Sequence, residues 1–497
     1  MSMIEVRNMT FTYDGGDKVF DNVSFRLDTD WRLGLTGRNG KGKTTLLKLL
    51  SGELDAGKSI ISSAEFRYFP YPVDEDADAV DAISGEMGSH DEWELIRETT
   101  RLGLDEDTLH RKFRTLSMSE RTKLMLAAMF LEDERERFML IDEPTNHLDA
   151  EGRALAARYL ASKRGFILVS HDRTFLDACT DHTMAINRAD ITVTNGNFSV
   201  WYENKLLRDE FERAENEKLR GEIRRLTETA AEKAAWSDRA ERRKIGLDPV
   251  KTEKSLTRRA WEGAKSKKMM SRAKAIEKRT DAMISEKSSL LKNIEETETL
   301  RLNPLLCRSK RVVEFRDVSA YYGDDMVFSG LSFTLSPGER ICLEGANGCG
   351  KSTVIKLITH DTESSGLRHD GEIYTAPGIV ISYVGQSQDK LSGDLDTLAD
   401  GVDRPLFYAI LRKLDFSREL FDRPLETYSA GQKKKAALAR SLSSGAHLYI
   451  WDEPLNYIDI FSRMQIEELI RASDASMIFV EHDRAFAESA ATKIVRL

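Results

Sequence analysis

Two glycine-rich stretches hold the residues best suited to chemistry. GRNGKGKTT, from Gly37 to Thr45, and GANGCGKST, from Gly345 to Thr353, both fit the pattern G-x-x-x-x-G-K-[ST]. Glycines let consecutive backbone amides converge on phosphate oxygens, a helix starting at the lysine adds its dipole, and the ammonium meets the terminal phosphates. In this reading Gly37, Arg38, Asn39, Gly40, Lys41, Gly42, Lys43, Thr44 and Thr45 cradle one nucleoside triphosphate. Gly345, Ala346, Asn347, Gly348, Cys349, Gly350, Lys351, Ser352 and Thr353 cradle a second. Thr44 and Ser352 offer their hydroxyls to Mg2+. Each half also has an apolar run ending in two acids, FMLIDE and LYIWDE. Asp142 and Asp452 would hold the metal, directly or through water, while Glu143 and Glu453 would polarise the water that attacks the γ-phosphate. His171 and His482 each open an H-D-R triplet after an apolar run. A lone histidine there is commonly structural, but its return in both halves points to a γ-phosphate sensor.

The elements that must position these groups come in duplicate. The glycine-rich stretches lie 308 residues apart, FMLIDEPTNHLD and LYIWDEPLNYID 310, and VSHDRTF and VEHDRAF 311. Three motifs in one order at a nearly constant offset mark an internal duplication. The halves are expected at residues 1–198 and 311–497. Each opens with short alternating strands, Ile4 to Thr12 and Val23 to Leu27, then Val312 to Ala320 and Leu331 to Leu335. An apolar strand, the glycine-rich turn and a helix follow, the opening of a mostly parallel α/β domain.

Residues 199–310 have a different texture. Leu207, Phe211 and Ala214, then Leu219, Ile223, Leu226, Ala230 and Ala234, recur at spacings of three and four with one slip of phase. After IGLDPVKTEKS a second helical pattern runs through Met270, Ala273, Ile276, Met283, Leu290 and Ile294, with Gly246 and Pro249 ending the first helix. This predicts an antiparallel helical hairpin with arms of roughly 60 Å facing each other through apolar stripes. Its turn is strongly basic. From Arg239 to Arg279 there are fifteen Lys and Arg against five acids, a net +10 in a chain whose total is −9. Concentrated positive charge of this kind suits a polyanion, with Arg242, Arg243, Lys244, Lys251, Lys254, Arg258, Arg259, Lys265, Lys267 and Lys268 as the contacts. A solvated basic hairpin is the plainer explanation, and placing the charge at the far end of two long helices weighs against it. Trp261, the one large aromatic of the turn, could stack on a base or pin the turn to its own helices.

The composition excludes other classes. No apolar run approaches the roughly 18 to 20 residues of a membrane span, and the N-terminus has neither the basic nor the apolar region of a signal peptide. Cys179, Cys307, Cys342 and Cys349 show no paired or metal-like spacing, which fits free thiols in a reducing, cytoplasmic setting.

The motifs together resemble those of the ATP-binding cassette (ABC) ATPases, over both halves. The resemblance implies two cassettes packed head to tail within a monomer, each ATP completed by a signature loop of the opposite cassette. The matching loops are LSMSERTK from Leu116 and YSAGQKKK from Tyr428. Site 1, with Lys43, would be completed by Ser429, Gly431 and Gln432, and site 2, with Lys351, by Ser117, Ser119 and Glu120. Both loops depart from the usual LSGGQ, with Met118 and Ser119 in place of two glycines and Tyr428 and Ala430 altering the second. Tyr13 and Tyr322 match the family's adenine-stacking aromatic. SYVGQ supplies Gln386 where the family places a glutamine on Mg2+ and water, whereas FRYFPYP puts Tyr71 there. Tandem cassettes joined by a long charged hairpin are similar to the ABC-F proteins, and WDEPLNYID with KKMMSRAKAIEKR to their Lsa-like resistance branch. That likeness implies binding of ribosomal RNA in the E-site tRNA region with ATP bound, and displacement of antibiotics near the peptidyl-transferase centre. No DNA and no membrane partner is implied. A housekeeping ABC-F translation factor is the alternative, and the ATPase subunit of a transporter fits the basic hairpin poorly.

Overall fold

The computed structural model describes residues 3–13, 18–55, 57–87, 91–131, 137–187, 190–245, 302–346, 348–360, 366–388, 391–414, 416, 420–456 and 458–497. The chain divides into two units, Met1–Trp201 together with Glu298–Leu497, and Tyr202–Thr297.

In the first repeat the strands β1 (Met3–Thr12) and β2 (Lys18–Asp28) form an antiparallel ribbon, and β3 (Arg32–Thr36) runs into α1 (Lys43–Ser51). Then come β4 (Ile60–Ile61), β5 (Glu65–Phe69), α2 (Ala79–Met87), α3 (Glu92–Arg101), α4 (Met118–Met129), β6 (Arg137–Asp142), α5 (Ala150–Ala161), β7 (Phe166–Val169), α6 (Arg173–Cys179), β8 (His182–Ile186) and β9 (Ile191–Asn195). The main sheet has the order β5-β6-β7-β3-β8-β9, parallel but for β9. A small antiparallel sheet, β2-β1-β4, lies over it. Strands β3 and β7 are apolar and buried almost throughout, because a parallel strand is covered on both faces. Ile4, Leu27, Leu33, Leu46, Leu47 and Ile167 share one core that joins the small sheet, the main sheet and α1.

The first arm of the expected hairpin is α7 (Phe198–Ile245), 48 residues and roughly 70 Å of helix. Gly246 and Pro249, the expected stop of this helix, lie outside the described residues. The inward face of α7 differs from the expected one. The half-buried and buried positions from Tyr202 onward are Tyr202, Lys205, Asp209, Glu212, Asn216, Leu219 and Ile223, spaced by three and four. Leu207 and Phe211 are 65% and 69% exposed, and Ala214 is exposed too. The slip of phase at Ala214 means that only one of the two apolar sets can face inward, and Leu219 and Ile223 belong to the set that does. The return arm lies outside the described residues, as do Lys251, Lys254, Arg258, Arg259, Trp261, Lys265, Lys267 and Lys268.

The second repeat follows the same plan with β10 (Val313–Tyr322), β11 (Asp325–Leu335), β12 (Arg340–Glu344), α8 (Lys351–Thr359), β13 (Leu367–Thr375), β14 (Ile381–Val384), α9 (Leu395–Leu398), α10 (Arg404–Lys413), α11 (Ala430–Ser443), β15 (Leu448–Asp452), α12 (Ile460–Arg471), β16 (Met477–Val480), α13 (Arg484–Ala490) and β17 (Lys493–Arg496). Its main sheet, β14-β15-β16-β12-β17, is parallel throughout. Strands β2 and β11 begin at Lys18 and Asp325, earlier than the alternation suggested, since each pairs with its predecessor along nearly its whole length. Among the described residues no helix is long and apolar enough to cross a membrane, and all four cysteines are free.

In both main sheets the strand carrying the glycine-rich turn, the strand carrying the histidine and the strand carrying the paired acids are neighbours, β3-β7-β6 and β12-β16-β15. Their carboxyl ends open on one edge, where ligands of open α/β sheets bind. Motifs more than a hundred residues apart thereby meet.

Candidate active sites

The two glycine-rich turns have the backbone their sequence requires. Gly42 and Gly350 sit at φ +91° and +103°, in the left-handed region. A Cβ on Gly42 would lie 2.6 Å from Val19 Cγ1, and one on Gly350 2.7 Å from Val327 Cγ1. Conformation and space both demand glycine here. Helices α1 and α8 start directly after them with no side chain capping their first amides, which leaves those donors for an anion. Lys43 Nζ donates to Gly37 O at 2.7 Å, Arg38 O at 3.3 Å and Asn39 Oδ1 at 3.2 Å. Lys351 Nζ donates to Gly345 O and Ala346 O, both at 2.8 Å. Each ammonium is thus held at the mouth of its turn. Asn347 lies outside the described residues.

Beside each lysine a hydroxyl and a carboxylate are paired. Thr44 Oγ1 donates to Asp142 Oδ2 at 2.8 Å, and Ser352 Oγ to Asp452 Oδ2 at 3.0 Å. Burial pushes both aspartates above their ordinary range, against the hydrogen bonds from Thr44 and Ser352. Among the described residues no three His, Cys, Asp or Glu gather as a closed metal site. The oxygens present suit Mg2+, which takes one or two protein oxygens and completes its shell with phosphate and water.

The next residue in each strand is in the left-handed region without being glycine, Glu143 at φ +50° and Glu453 at φ +48°. Non-glycine residues there carry strain, and the same outlier in both repeats marks the functional edge. Glu143 N donates to Val169 O at 2.9 Å and Glu453 N to Val480 O at 3.1 Å, which pins each turn to the histidine strand. The carboxylates then diverge. Both oxygens of Glu143 are buried, and among the described residues no side chain is placed to donate a well-aligned hydrogen bond to them, although His171 Nε2 lies 3.1 Å from Oε1. Burial and the neighbouring Asp142 push Glu143 up to about 7. Burial drives His171 well below its ordinary value, helped by Lys43, so this close pair tends toward neutral forms instead of an ion pair. Glu453 accepts from Gln386 Nε2 at 3.0 Å and Asn456 Nδ2 at 2.8 Å, with His482 Nε2 at 3.7 Å. His482, Gln386 and Asn456 together hold it down to about 2.

Strand register explains the difference. Tyr68 pairs with Leu140 in the first repeat and Tyr383 with Ile450 in the second, which makes Tyr71 and Gln386 equivalent, each three residues further on. Gln386 faces the site. Tyr71 is buried and turns toward α4, where its hydroxyl donates to Met125 O at 3.0 Å. The hydroxyl that does reach site 1 belongs to Tyr68, which donates to Asp142 Oδ2 at 3.0 Å. Nothing in the sequence singled out Tyr68 or Asn456. Asn456 lies within the repeated DEP-containing motif, three residues after Glu453, a signal that could have been used.

Tyr13 and Tyr322 lie beside the helices that follow the glycine-rich turns. Tyr13 OH lies 3.0 Å from Thr45 Oγ1, with its ring edge-on to Phe11, and Lys356 Nζ donates to Tyr322 OH at 3.3 Å. Each signature loop begins a helix through a capping box. Ser117 accepts from Glu120 N and Glu120 returns a carboxylate to Ser117 N at 2.7 Å. Ser429 and Gln432 do the same at the start of α11. Ser119 lies in the first turn of α4 and Gly431 in that of α11. Arg242, Arg243 and Lys244 lie on α7 before Ile245.

The cassettes meet through residues that sequence reasoning did not single out. Arg173 Nη2 donates to Glu467 Oε2 at 2.6 Å, and Trp201 packs edge-on to Phe461 at 6.0 Å. Asp459 and Lys435 of the second cassette act on the charge of Lys43, and Arg463 on that of Glu143. Reciprocally Glu453 acts on His147. The loop after the paired acids of each cassette therefore lies near the nucleotide motifs of the other, a head-to-tail arrangement.

Comparison with known proteins agrees with this geometry. The family profile described as ABC transporter matches residues 20–146 and 328–456. The ATP-binding protein Uup of Caulobacter vibrioides is 28% identical over 503 residues, covering 97% of this chain and 75% of that protein. The ribosome protection protein VmlR of Bacillus subtilis is 25% identical over 496 residues, covering 98% and 85%. ABC transporter F family member 2 of Arabidopsis thaliana is 24% identical and matches along the whole of this chain and 76% of its own length. Among solved structures, the complex of archaeal ribosomal stalk protein aP1 with the ribosome recycling factor aABCE1 superposes with a TM-score of 0.64 at 18% identity, covering 98% of this chain and 87% of that one, a likeness of fold. Two glycine-rich turns and two acid pairs, matched by the family over both repeats and each gathered with a histidine at one sheet edge, make this chain an ATP-binding, ATP-hydrolysing member of the ABC family, a tandem-cassette protein of the ABC-F type.

Proposed function

We propose that this ATPase acts on the ribosome, binding in the E-site tRNA region with ATP in both cassettes and using its interdomain helices to displace antibiotics near the peptidyl-transferase centre. The observation that carries the reading is the +10 charge of Arg239–Arg279, set between two cassettes in a chain that is otherwise acidic. Lysine and arginine contacts to phosphate give affinity without sequence choice. The likeness to VmlR along nearly the whole chain supports the same reading. Trp261 is the proposed contact with a base.

In the proposed cycle the glycine-rich turns and Lys43 or Lys351 bind the triphosphates, and Tyr13 and Tyr322 stack on adenine. Ser429, Gly431 and Gln432 complete site 1, and Ser117, Ser119 and Glu120 complete site 2. Thr44 with Asp142, and Ser352 with Asp452 and Gln386, would hold Mg2+, which supplies charge neutralisation at the phosphates. Glu453, ionised and oriented by Gln386 and Asn456, takes the proton of the attacking water, and His482 faces the γ-phosphate. Glu143 and His171 have those roles in site 1. The two-ATP state fixes the hairpin, and hydrolysis releases it.

The test expresses the chain in a sensitive host and measures susceptibility to lincosamides, pleuromutilins, streptogramins A and macrolides, beside ribosome cosedimentation of the Glu143→Gln, Glu453→Gln double variant. Raised tolerance to at least one class, lost with Trp261→Ala, together with ATP-dependent cosedimentation, is the expected result. Cosedimentation with unchanged susceptibility would leave a housekeeping translation factor. Cosedimentation that ignores ATP would overturn the cycle.

A further inference from the structure

The loop that carries Tyr71 or Gln386 is tied to the signature helix in both cassettes, but the tie runs in opposite directions. In the first cassette it comes from the loop, through the Tyr71 hydroxyl on Met125 O of α4. In the second it comes from the helix. Lys434 of α11, only 2% exposed, donates from Nζ to Gly385 O at 2.9 Å and to Gln386 O at 3.0 Å. The matching position of α4, also five residues after its capping serine, is Thr122, whose hydroxyl goes to Met118 O in its own helix. A buried ammonium is costly unless its donors are met, so the two carbonyls fix where Lys434 can sit. The tie uses only the loop backbone, which leaves the Gln386 side chain to reach Glu453. Tyr71 places its hydroxyl on Met125 O, and among the described residues no side chain donates to Glu143 as Gln386 does to Glu453.

From this juxtaposition we infer that Lys434 is a positioning residue that couples the two ATP sites. The chain of contacts runs from Glu453 of site 2 through Gln386 and its loop to Lys434, along α11 to Ser429 at its N-terminus, the residue assigned to complete site 1. The next residue, Lys435, strengthens the link by donating to Asp459 Oδ2 at 3.0 Å, and Asp459 acts on Lys43. Occupancy of site 2 thereby sets the position of the helix that serves site 1. In the first cassette the tie ends on the backbone of α4 at Met125. The coupling concerns ATP turnover and does not depend on the ribosomal reading.

The experiment compares site-1 turnover in the full chain under two ways of silencing site 2. Glu453→Gln leaves site 2 able to load ATP, and Lys351→Ala leaves it unable to. The ratio of the two site-1 rates is expected to be about fivefold or more, within the usual range of coupling between sites. In Lys434→Met, which keeps the aliphatic stem and loses the donors, the ratio should fall below about twofold, and Lys434→Arg should restore it. A packing role alone would change both rates together and leave the ratio intact. If Lys434→Met does not fold, Gln386→Ala cuts the same chain at its other end and must collapse the ratio as well. A ratio near one in the parent protein, or one that survives either cut, overturns the inference.

Discussion

The two ATP sites are built from the same motifs on the same sheet positions, yet their glutamates stand in opposite electrostatic states. Glu453 is surrounded by donors from Gln386 and Asn456 and is held ionised at about 2. Glu143 is enclosed beside Asp142 with no side-chain donor among the described residues, and its carboxyl rises to about 7. In the proposed role of general base a glutamate must be deprotonated to act, which would leave site 2 prepared at any physiological pH and site 1 poised near its own titration point. What separates them is the set of groups around each carboxylate, His482, Gln386 and Asn456 at Glu453 against burial and Asp142 at Glu143, and one of those donors is decided in the loop after β5 or β14. A glutamine supplies a donor to the glutamate, and a tyrosine at the same register turns into the helices instead.

The largest expected effect breaks the comparison on the stronger side. Glu453→Gln should slow site-2 turnover, read in a Glu143→Gln background by phosphate release, by about a hundredfold or more. Glu143→Gln at neutral pH should cost site 1 less, because burial already keeps part of its carboxyl protonated. Equal losses would dissolve the asymmetry. The second effect is on stability. Below about 4.5 the carboxyl of residue 143 is protonated in both folded and unfolded chains and contributes nothing. Between about 4.5 and 7 only the unfolded chain ionises, so the fold loses stability as pH rises through this window. Glu143→Gln removes that loss and should stabilise the protein at pH 8 by roughly 2–4 kcal/mol more than at pH 4, read by denaturant titration. Glu453, depressed in the fold, has the opposite sign. Its contribution is present above about 4.5 and lost toward about 2, so Glu453→Gln should destabilise at neutral pH.

Third, the pH–rate profiles should separate. With site 2 silenced by Glu453→Gln, site-1 turnover should rise about tenfold from pH 6 to pH 8 as Glu143 ionises. With site 1 silenced by Glu143→Gln, site-2 turnover should change less than about twofold across the same range. Parallel profiles would mean that burial does not distinguish the two glutamates. The smallest effect sharpens the register argument. Tyr71→Phe deletes one hydrogen bond to α4 and should cost about 1 kcal/mol of stability without altering site-1 turnover. A change in turnover would place Tyr71 at the nucleotide after all.

Much of the site was legible in the chain itself. Chemistry of phosphate binding needs glycines, a lysine, a hydroxyl and acids at fixed local spacing, and those spacings are written twice from Gly37 to Thr45 and Gly345 to Thr353, and again at Asp142–Glu143 and Asp452–Glu453. The parallel α/β character was legible for the same reason, since a strand covered on both faces must be apolar throughout, as FILV of β7 is. The face of α7 was not. The sequence offered two apolar sets a few residues out of phase, and which of them turns inward depends on what covers the helix, so Leu207 and Phe211 proved exposed.

The sequence by itself determined two candidate phosphate sites, their order, the lysine each would use, Lys43 or Lys351, and a basic insert between them, because each of these follows from local residue type and spacing. Only the tertiary structure decided that the sites differ in charge state. Whether a glutamate is ionised depends on donors brought from β14, from the turn after β15 and from burial, none of which is adjacent in the chain. Only the fold could likewise place Lys434 on the carbonyls of a loop 48 residues before it, where a lysine in a basic run, KKK, reads from sequence as one more solvated charge.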